Sequence, residues 1–321
     1  MTKKKQRAMM PNIKIPDRSD TVKRILITGK DSYLGQNVKR RLEEYNDSHG
    51  GMYCVDVISL RGDEWKKTDF SVYASVLHMV GIAHADTGNV SEETKRKYYE
   101  VNCDLAAEAC RKAKESGVSQ FIYMSSVIIY GDSAGVGKDK RITADTKPAP
   151  ANFYGDSKWQ AEQKLNAMAD EDFSVAIVRS PMVYGKGSRG NYPMLVHLAR
   201  KLPVFPDIKN SRSMIYVENL AEFLRLLIEC GEGGTFYPQN AEYVNTCRMV
   251  CEIAAAMGGR VAPCRLLNPL VHIAAHVPGK TGALADKAFG SLTIDKDLSR
   301  RRISGYQIYS LEESIRKTHE D

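Results

Sequence analysis

Two residues one helical turn apart give the strongest chemical signal in the sequence. Tyr154 and Lys158 lie in the segment NFYGDSKW, so a helix over this segment would place both side chains on one face. A nearby ammonium stabilises a phenolate and lowers the pKa of the tyrosine towards the range of a general base. Because a Tyr-x-x-x-Lys spacing often arises by chance, this pair alone does not define a site.

A third candidate group lies upstream of the pair. The β-rich run 120–125 leads into Ser125 and Ser126. A hydroxyl at the carboxyl end of a strand is well placed to hold a reacting oxygen beside the tyrosine. The order of these features predicts an acid–base site built from one strand and the helix that follows it.

A glycine-containing turn follows the first predicted strand, 24–28. Such a turn lets backbone N–H groups approach a pyrophosphate, and the N-terminus of the next helix adds a favourable dipole. Ser32 takes the position of the middle glycine, where its N–H and hydroxyl can still donate to phosphate. Tight turns also use glycine without binding anything, but this position favours a dinucleotide site lined by Thr28, Gly29, Ser32, Tyr33, Leu34 and Gly35.

The end of the second predicted strand, 53–60, bears on the choice of cofactor. In NAD-preferring proteins this end usually carries an acidic residue that binds the ribose hydroxyls. Here it has the sequence Ser59-Leu60-Arg61, and Asp56 lies inside the strand. Serine and arginine accept a 2′-phosphate, so the sequence slightly favours NADP over NAD. The alternative is that Arg61 is only a solvated loop charge.

The elements that must position these groups alternate along the chain. Nearly all-apolar strands alternating with amphipathic helices predict an α/β fold, a Rossmann doubly wound parallel sheet with a smaller, mixed C-terminal lobe. The predicted strands cover residues 24–28, 53–60, 75–80, 120–125 and 174–179. The predicted helices run from the glycine turn through about Tyr45 and over residues 92–116, 152–169, 192–201, 217–230 and 246–257.

The same pattern predicts the organisation of the chain. Residues 1–20 form a basic tail that is predicted to be disordered. An NAD(P)-binding Rossmann domain is predicted over 21–180, with 213–240 returning to it, and a substrate-binding lobe over 181–212 and 241–321. The apolar segment 266–276 has helical spacing and fits a lid, a membrane-surface helix or core, with core as the default interpretation.

Composition restricts the class of protein. The 321 residues are 43% hydrophobic and 26% charged, which is ordinary for a soluble globular protein. No apolar run approaches the roughly 18–20 residues that span a bilayer. The N-terminus lacks the apolar stretch of a secretory signal, so a cytoplasmic location is predicted. Seven cysteines without a C-x-x-C pair indicate neither a disulfide framework nor a metal site.

The charge does not indicate a nucleic-acid partner. Of the formal net charge of +7, +4 lies in the first twenty residues, which hold six basic and two acidic side chains. The remaining chain is only mildly basic, which suits an anionic phosphate ligand.

Several stretches together resemble a known family, the extended short-chain dehydrogenases, also described as the NAD-dependent epimerase/dehydratase family. They run in family order from Ile25 to about Leu227. The matching stretches are ILITG with Gly35, HMVGIAH, VNCDLAAEA, FIYMSSVIIYGD, FYGDSKWQAE, VRSPMVYGKG and RSMIYVENLAEF.

The resemblance implies a role for each matched residue. Tyr154 would be the catalytic acid/base, Lys158 would bind the nicotinamide ribose, and Ser126 would be the catalytic hydroxyl that also contacts substrate. Asn102 and Pro181 match positions at the cofactor. Asn191 and Arg212 match positions that bind the diphosphate of a sugar nucleotide, where a guanidinium suits phosphate oxygens. A loop cap and a surface ion pair are the alternatives for the last two, and His84 is either a substrate contact or a loop histidine.

The resemblance also narrows the reaction. Dehydratases of the family carry Asp and Glu directly after the catalytic hydroxyl, and here Val127 and Ile128 stand there. Dehydration is therefore not expected. Local motifs do not separate the two remaining reactions, and the frequency of activities in the family favours a UDP-sugar 4-epimerase, with an NADPH-dependent 4-ketosugar reductase as the alternative. A non-catalytic NAD(P) sensor is more remote because Ser126, Tyr154 and Lys158 are all kept. The family commonly forms homodimers, and the chain is expected to do the same.

Overall fold

The computed structural model describes residues 22–83, 90–300 and 302–320. The predictions made for the N-terminal tail and for His84 lie outside the described residues. Within them, no helix is both long enough and apolar enough to cross a membrane.

A six-stranded parallel sheet forms the centre of the molecule, with strand order β10-β6-β4-β3-β1-β2. This confirms the predicted α/β, doubly wound fold. The strands are β1 (Lys23–Thr28), β2 (Tyr53–Ile58), β3 (Ser75–His78), β4 (Gln120–Ser126), β5 (Arg141–Ile142), β6 (Ser174–Ser180), β7 (Met182–Tyr184), β8 (Val204–Pro206), β9 (Met214–Tyr216), β10 (Gly234–Phe236), β11 (Ala262–Cys264) and β12 (Thr293–Ile294).

Helices cover both faces of this sheet because successive apolar residues of each strand point to opposite sides. Ile25 and Ile27 of β1 belong to one core, and Leu26 between them belongs to the other. The helices are α1 (Tyr33–His49), α2 (Glu92–Tyr99), α3 (Leu105–Glu115), α4 (Phe153–Asn166), α5 (Asn191–Lys201), α6 (Val217–Cys230), α7 (Thr246–Ala256), α8 (Asn268–His276), α9 (Lys280–Phe289), α10 (Lys296–Arg300) and α11 (Leu311–His319).

The helix predicted over 92–116 is not continuous. A π-helical turn, Glu100–Asp104, separates α2 from α3. At this turn the Tyr123 hydroxyl donates to the carbonyl of Asn102 at 2.8 Å, and the Asn102 side chain points to the loop after β3. Such wide turns often occur at functional sites, and a hydrophobic pattern alone does not reveal them.

The C-terminal part of the chain has its own small elements and core. Strand β7 pairs with β9, β8 with β11, and β5 with β12, each pair parallel. Helices α5, α7 and α11 contribute buried residues to a separate hydrophobic cluster beside the main sheet. These elements lie along the carboxyl end of β6, where the chain leaves the sheet, and therefore border the ligand edge of the fold.

The core interpretation of segment 266–276 is wrong. Helix α8 contains no buried residue, and Leu266, Leu270 and Ile273 are 89%, 61% and 64% exposed. Helical spacing of apolar residues shows that one face is apolar but not what covers that face.

Candidate active site

A cavity of about 520 Å³ lies at the carboxyl ends of the parallel strands. Its walls come from the segments after β1 and β3, the ends of β4 and β6, and the first turns of α4 and α5. This is the edge at which open α/β sheets bind their ligands. Of the residues predicted for the site, the cavity is lined by Ser32, Tyr33, Leu34, Ser126, Tyr154, Lys158, Pro181 and Asn191.

Helix α4 brings Tyr154 to the end of β4. Asn152 caps the helix by accepting a hydrogen bond from the Gly155 backbone N–H at 3.0 Å. A Cβ atom at Gly155 would lie 2.9 Å from the Ile128 carbonyl oxygen, so a side chain here would push the helix away. The glycine therefore allows the first turn of α4 to approach the segment that carries Ser126.

The hydroxyl of Tyr154 is in an environment that disfavours phenolate. Burial, with a smaller contribution from Tyr98, raises its pKa to about 12, while a hydrogen bond with Ser126 opposes the shift. The expectation that Lys158 lowers this pKa is wrong for the arrangement in the structure. The Lys158 ammonium instead donates to the Met124 carbonyl at 2.9 Å and lies 4.6 Å from the centre of the Tyr123 ring.

Lys158 is 5% exposed, and its burial lowers its pKa to about 8. Glu162, one turn further along α4, opposes that shift. Its fully buried carboxylate accepts from the Arg179 guanidinium at 2.6 Å and from the Ser125 hydroxyl. The Arg179 side chain also donates to the Tyr130 hydroxyl at 2.6 Å, so a buried ionic network supports the end of β4.

Sequence analysis missed Glu162 and Arg179. The signal that would have found them is the spacing of Tyr154, Lys158 and Glu162 on one helical face, together with an arginine near the end of the neighbouring strand β6. A buried carboxylate on such a face requires a buried cation as its partner.

The glycine turn has the close backbone approach that a dinucleotide site needs. Gly29 has a φ of +101°, and a Cβ there would lie 3.2 Å from the backbone of Met79. A Cβ at Gly35 would lie 3.2 Å from a methyl carbon of Ile27. Ser32 caps α1 by accepting from the Gly35 N–H at 3.2 Å, which leaves its hydroxyl hydrogen free to donate.

A nicotinamide dinucleotide fits this edge of the cavity. The first turn of α1 presents its backbone N–H groups there, and cavities of a few hundred cubic ångströms are typical of cofactor sites. Tyr33 lines the same wall, and its buried hydroxyl has no hydrogen-bond partner among the described residues.

Thr28 and Asn102 lie behind the cavity and hold its wall in place. The Thr28 hydroxyl pairs with Nδ1 of His78 at 3.1 Å, and burial lowers the pKa of His78 to about 3. The Asn102 amide accepts from the Ile82 N–H at 2.7 Å and donates to the Ile82 carbonyl at 3.0 Å. A Cβ at Gly81 would lie 3.1 Å from Lys158 Nζ, so this loop packs directly on the lysine.

Arg61 and Arg212 are not brought to the cavity wall. The Arg61 side chain is 87% exposed and lies 3.7 Å from Asp31, which does line the cavity. The Arg212 guanidinium donates to the carbonyls of Lys287 and Gly290 at 2.6 and 3.3 Å, and burial lowers its pKa. Asp56 lies inside β2, as predicted, and its carboxylate is paired with Arg24 of the neighbouring strand β1 at 2.9 Å.

A comparison with known families matches residues 25–237 to the family described as NAD dependent epimerase/dehydratase. A UDP-glucose 4-epimerase from Vibrio cholerae is 26% identical over 313 residues, which cover 92% of this chain and 94% of that protein. An N-acetyl-alpha-D-glucosaminyl-diphospho-ditrans,octacis-undecaprenol 4-epimerase from Escherichia coli O157:H7 is 29% identical over 181 residues, 54% of this chain and 53% of that protein.

Solved structures show the same fold at low identity. A UDP-N-acetylglucosamine 4-epimerase from Bacillus cereus superposes with a TM-score of 0.68 at 16% identity, covering 92% of this chain and 98% of that one. A dTDP-4-dehydrorhamnose reductase from Bacillus anthracis, in complex with NADP, gives a TM-score of 0.66 at 18% identity, covering 93% and 99%.

Proposed function

Because the chain belongs to the NAD-dependent epimerase/dehydratase family, we propose that it carries out oxidoreduction at C4 of a nucleotide-diphosphate sugar, as a UDP-sugar 4-epimerase. One observation carries this proposal. Ser126, Tyr154 and Lys158 line the same cavity as the glycine turn, so a cofactor and a sugar can meet there. The relatives named above include enzymes that act on sugar nucleotides.

In the proposed reaction, Tyr154 as its phenolate takes the proton of the C4 hydroxyl while the hydride leaves C4, becomes the neutral phenol, and returns the proton when the hydride comes back. The nicotinamide dinucleotide, when bound, supplies the hydride acceptor and donor. Ser126 lines the cavity together with Tyr154 and can hold the same sugar oxygen, so the two hydroxyls can position that oxygen for proton transfer. Epimerisation requires the 4-keto sugar intermediate to rotate in the site, so that the hydride returns to the opposite face of C4.

Lys158 has two tasks in this proposal. It binds the ribose beside the nicotinamide, and it places positive charge near the phenolate that forms on Tyr154. Its ammonium now rests on the Met124 carbonyl, and it must turn towards the cavity to do both. The buried Glu162 favours the charged form of Lys158 and so helps to keep it ready for this role.

Dehydration is not proposed, because the residues after Ser126 cannot move a proton. Val127 is 8% exposed and lies in a hydrophobic cluster. Ile128 is equally without a titratable group. Elimination of water at C5 and C6 would need an acid and a base at this place.

A 4-ketosugar reductase that uses NADPH is the second candidate, and the end of β2 favours it. Residues 59–61 carry no carboxylate to bind ribose hydroxyls, and the exposed guanidinium of Arg61 suits a 2′-phosphate. The Asp31 carboxylate beside Arg61 would counteract this, since it repels a phosphate. The cofactor is NAD or NADP, and the slight preference for NADP belongs to this second candidate.

The sugar diphosphate is proposed to lie between Asn191 and Arg212. Asn191 begins α5 and lines the cavity, and its helix N-terminus favours a phosphate. Arg212 is proposed to exchange its two carbonyl partners for phosphate oxygens. Such an exchange is favourable because a guanidinium binds phosphate more strongly than it binds neutral carbonyls. The predicted homodimer and cytoplasmic location stay predictions.

Two measurements test this function. The purified protein is denatured and the released nucleotide identified by mass spectrometry, and the native protein is incubated with UDP-glucose, UDP-galactose and their N-acetylated forms, with products resolved by NMR. Retained NAD and interconversion of a C4 pair would support the epimerase. Retained or preferred NADPH, with reduction of a 4-keto sugar only, would support the reductase. A protein that binds neither dinucleotide would overturn both.

A further inference from the structure

Helices α8 and α9 expose an apolar surface that the proposed chemistry does not use. Five of the eleven exposed large hydrophobic side chains among the described residues lie on this helical hairpin or directly beside its helices. Such a concentration marks an interaction surface, whereas scattered exposed side chains do not. These five form what we call the hairpin face: Leu266, Leu270, Ile273, Val277 and Leu284.

The hairpin face is an ordered stripe. Leu270 and Ile273 lie three residues apart on one side of α8, and Leu266 and Val277 flank the two ends of the helix. Their exposures range from 42% to 89%. The regular spacing and the exposure together distinguish this stripe from a poorly packed loop.

The opposite side of the hairpin is fixed to the protein. A Cβ at Gly282 would lie 2.4 Å from the Val277 carbonyl oxygen, so α9 approaches the end of α8 closely. The Asp286 carboxylate of α9 accepts from the backbone N–H of Val136 at 2.8 Å, and Val136 lies in the segment between β4 and β5. The Asn268 amide donates to the Asp207 carbonyl at 2.9 Å. The leucines therefore face outwards from a firmly held scaffold.

Positive charge accompanies the apolar stripe. Residues 258–290 contain four basic side chains and one acidic side chain, and one of the four, Arg265, is paired with Asp207 at 3.0 Å. On α9, Lys280 and Lys287 lie one turn to either side of Leu284 and are exposed as it is. The single acid, Asp286, is turned inwards to a backbone N–H. The hairpin face therefore combines apolar side chains with net positive charge.

We propose that the hairpin face docks on the surface of an anionic lipid bilayer. An apolar stripe with lysines beside it is the pattern of an interfacial helix, whose leucines enter the boundary of headgroups and acyl chains while the cations meet lipid phosphates. A second copy of this chain would bring the same positive charge against itself, which opposes self-association through this face. The hairpin is only surface-bound in this proposal.

Docking would hold the substrate side of the cavity close to the membrane. The end of α9 provides the two carbonyls that hold Arg212, and the Asp286 contact joins α9 to the loop after β4. The bilayer and the proposed sugar-diphosphate site would then lie on neighbouring parts of the same lobe. The docking itself does not rest on the proposed reaction and is tested without measuring activity.

The experiment measures the binding of the full chain to sucrose-loaded vesicles by co-sedimentation. Vesicles of phosphatidylcholine alone are compared with vesicles that contain about one third phosphatidylglycerol, at low and high salt. We expect binding to the anionic vesicles that weakens with salt, and at least about tenfold weaker binding of the variant Leu270→Glu/Ile273→Glu. Lys280→Gln/Lys287→Gln should lose roughly fivefold per lysine on anionic vesicles only.

The matched control is Val22→Glu/Val72→Glu, which adds the same two charges at exposed apolar positions outside the hairpin. It should bind within about twofold of the unchanged chain if the hairpin face is responsible. All variants alter exposed residues, so their thermal unfolding should match that of the unchanged chain. Equal loss in both double-glutamate variants would overturn the proposal. So would a hairpin variant that keeps full vesicle binding, or one that changes only the oligomeric state in light scattering.

Discussion

The two sides of the cavity are built differently. Ser126, Tyr154 and Lys158 lie on β4 and α4, and a buried network of Glu162 and Arg179 fixes that wall. Across the cavity, Asn191 begins a helix after a loop, and Arg212 is held by carbonyl groups at the end of α9. From this contrast we infer that Ser126, Tyr154 and their supporting network are in place before a ligand binds, with only Lys158 turning there, whereas Arg212 must exchange its partners when the substrate binds.

The largest effect expected on the first wall is that of Tyr154→Phe. Loss of the phenolic hydroxyl, which transfers the proton, should lower kcat by about 10²–10⁴-fold while leaving dinucleotide affinity within about twofold. The control is Tyr99→Phe, which removes a hydroxyl bonded to Asp156 at 2.8 Å in the neighbouring helix. Steady-state kinetics and cofactor titration decide the outcome. If Tyr154→Phe keeps its turnover, the proposed proton transfer is wrong.

The pH dependence of the free energy of unfolding tests whether the buried charge of Lys158 destabilises the folded protein. Burial lowers the pKa of this lysine to about 8 from an ordinary 10.5. The unfolded chain therefore binds more protons between these values, and the free energy of unfolding should rise with pH across that window. The rise due to Lys158 is roughly 3 kcal/mol. Below pH 8 the lysine is charged in both states and its contribution no longer changes.

The measurement is urea unfolding from pH 7 to 10.5 for the unchanged chain and for Lys158→Met. Other titrating groups are shared by the two proteins, so the difference between their curves isolates the lysine. The free energy of unfolding of the unchanged chain, minus that of Lys158→Met, should increase steadily between pH 8 and 10.5. Parallel curves would show that the lysine is not desolvated.

The substrate wall should respond in affinity and not in turnover. Replacing Arg212 with Gln removes a charge-assisted contact to the proposed diphosphate, and KM should rise about 10–100-fold with kcat little changed. Arg248→Gln, which removes an exposed guanidinium paired with Glu242 at 2.5 Å, serves as the control. A variant with lower kcat and unchanged KM would place Arg212 with the chemical wall and remove the contrast.

The smallest effect is expected at the outer rim of the cofactor edge. Arg61→Ala should weaken NADPH binding by no more than about fivefold and leave NADH binding unchanged, since exposed ion pairs contribute little. Asp31→Asn, at the neighbouring rim position, should shift the ratio towards NADPH. Fluorescence titration with both cofactors measures this. Equal loss for both cofactors would show that Arg61 does not recognise the 2′-phosphate.

Local patterns in the sequence determined much of this protein. The apolar strands and their spacing predicted a parallel sheet because a strand buried on both faces must be apolar throughout. Local spacing also predicted the helix that carries Tyr154 and Lys158. The same holds for the turn from Gly29 to Gly35. The proposed division into a Rossmann domain and a substrate lobe rests on the same change of pattern after residue 180.

Only the tertiary structure decided how distant residues face one another. Burial raises the pKa of Tyr154, and the Lys158 ammonium donates to the carbonyl of Met124, 34 residues away along the chain. The ionic pair of Glu162 and Arg179 depends on the contact of α4 with β6. Segment 266–276 is exposed because no element covers its apolar side among the described residues. Spacing fixes which face of an element is apolar, but burial and partners depend on what folding brings to that face.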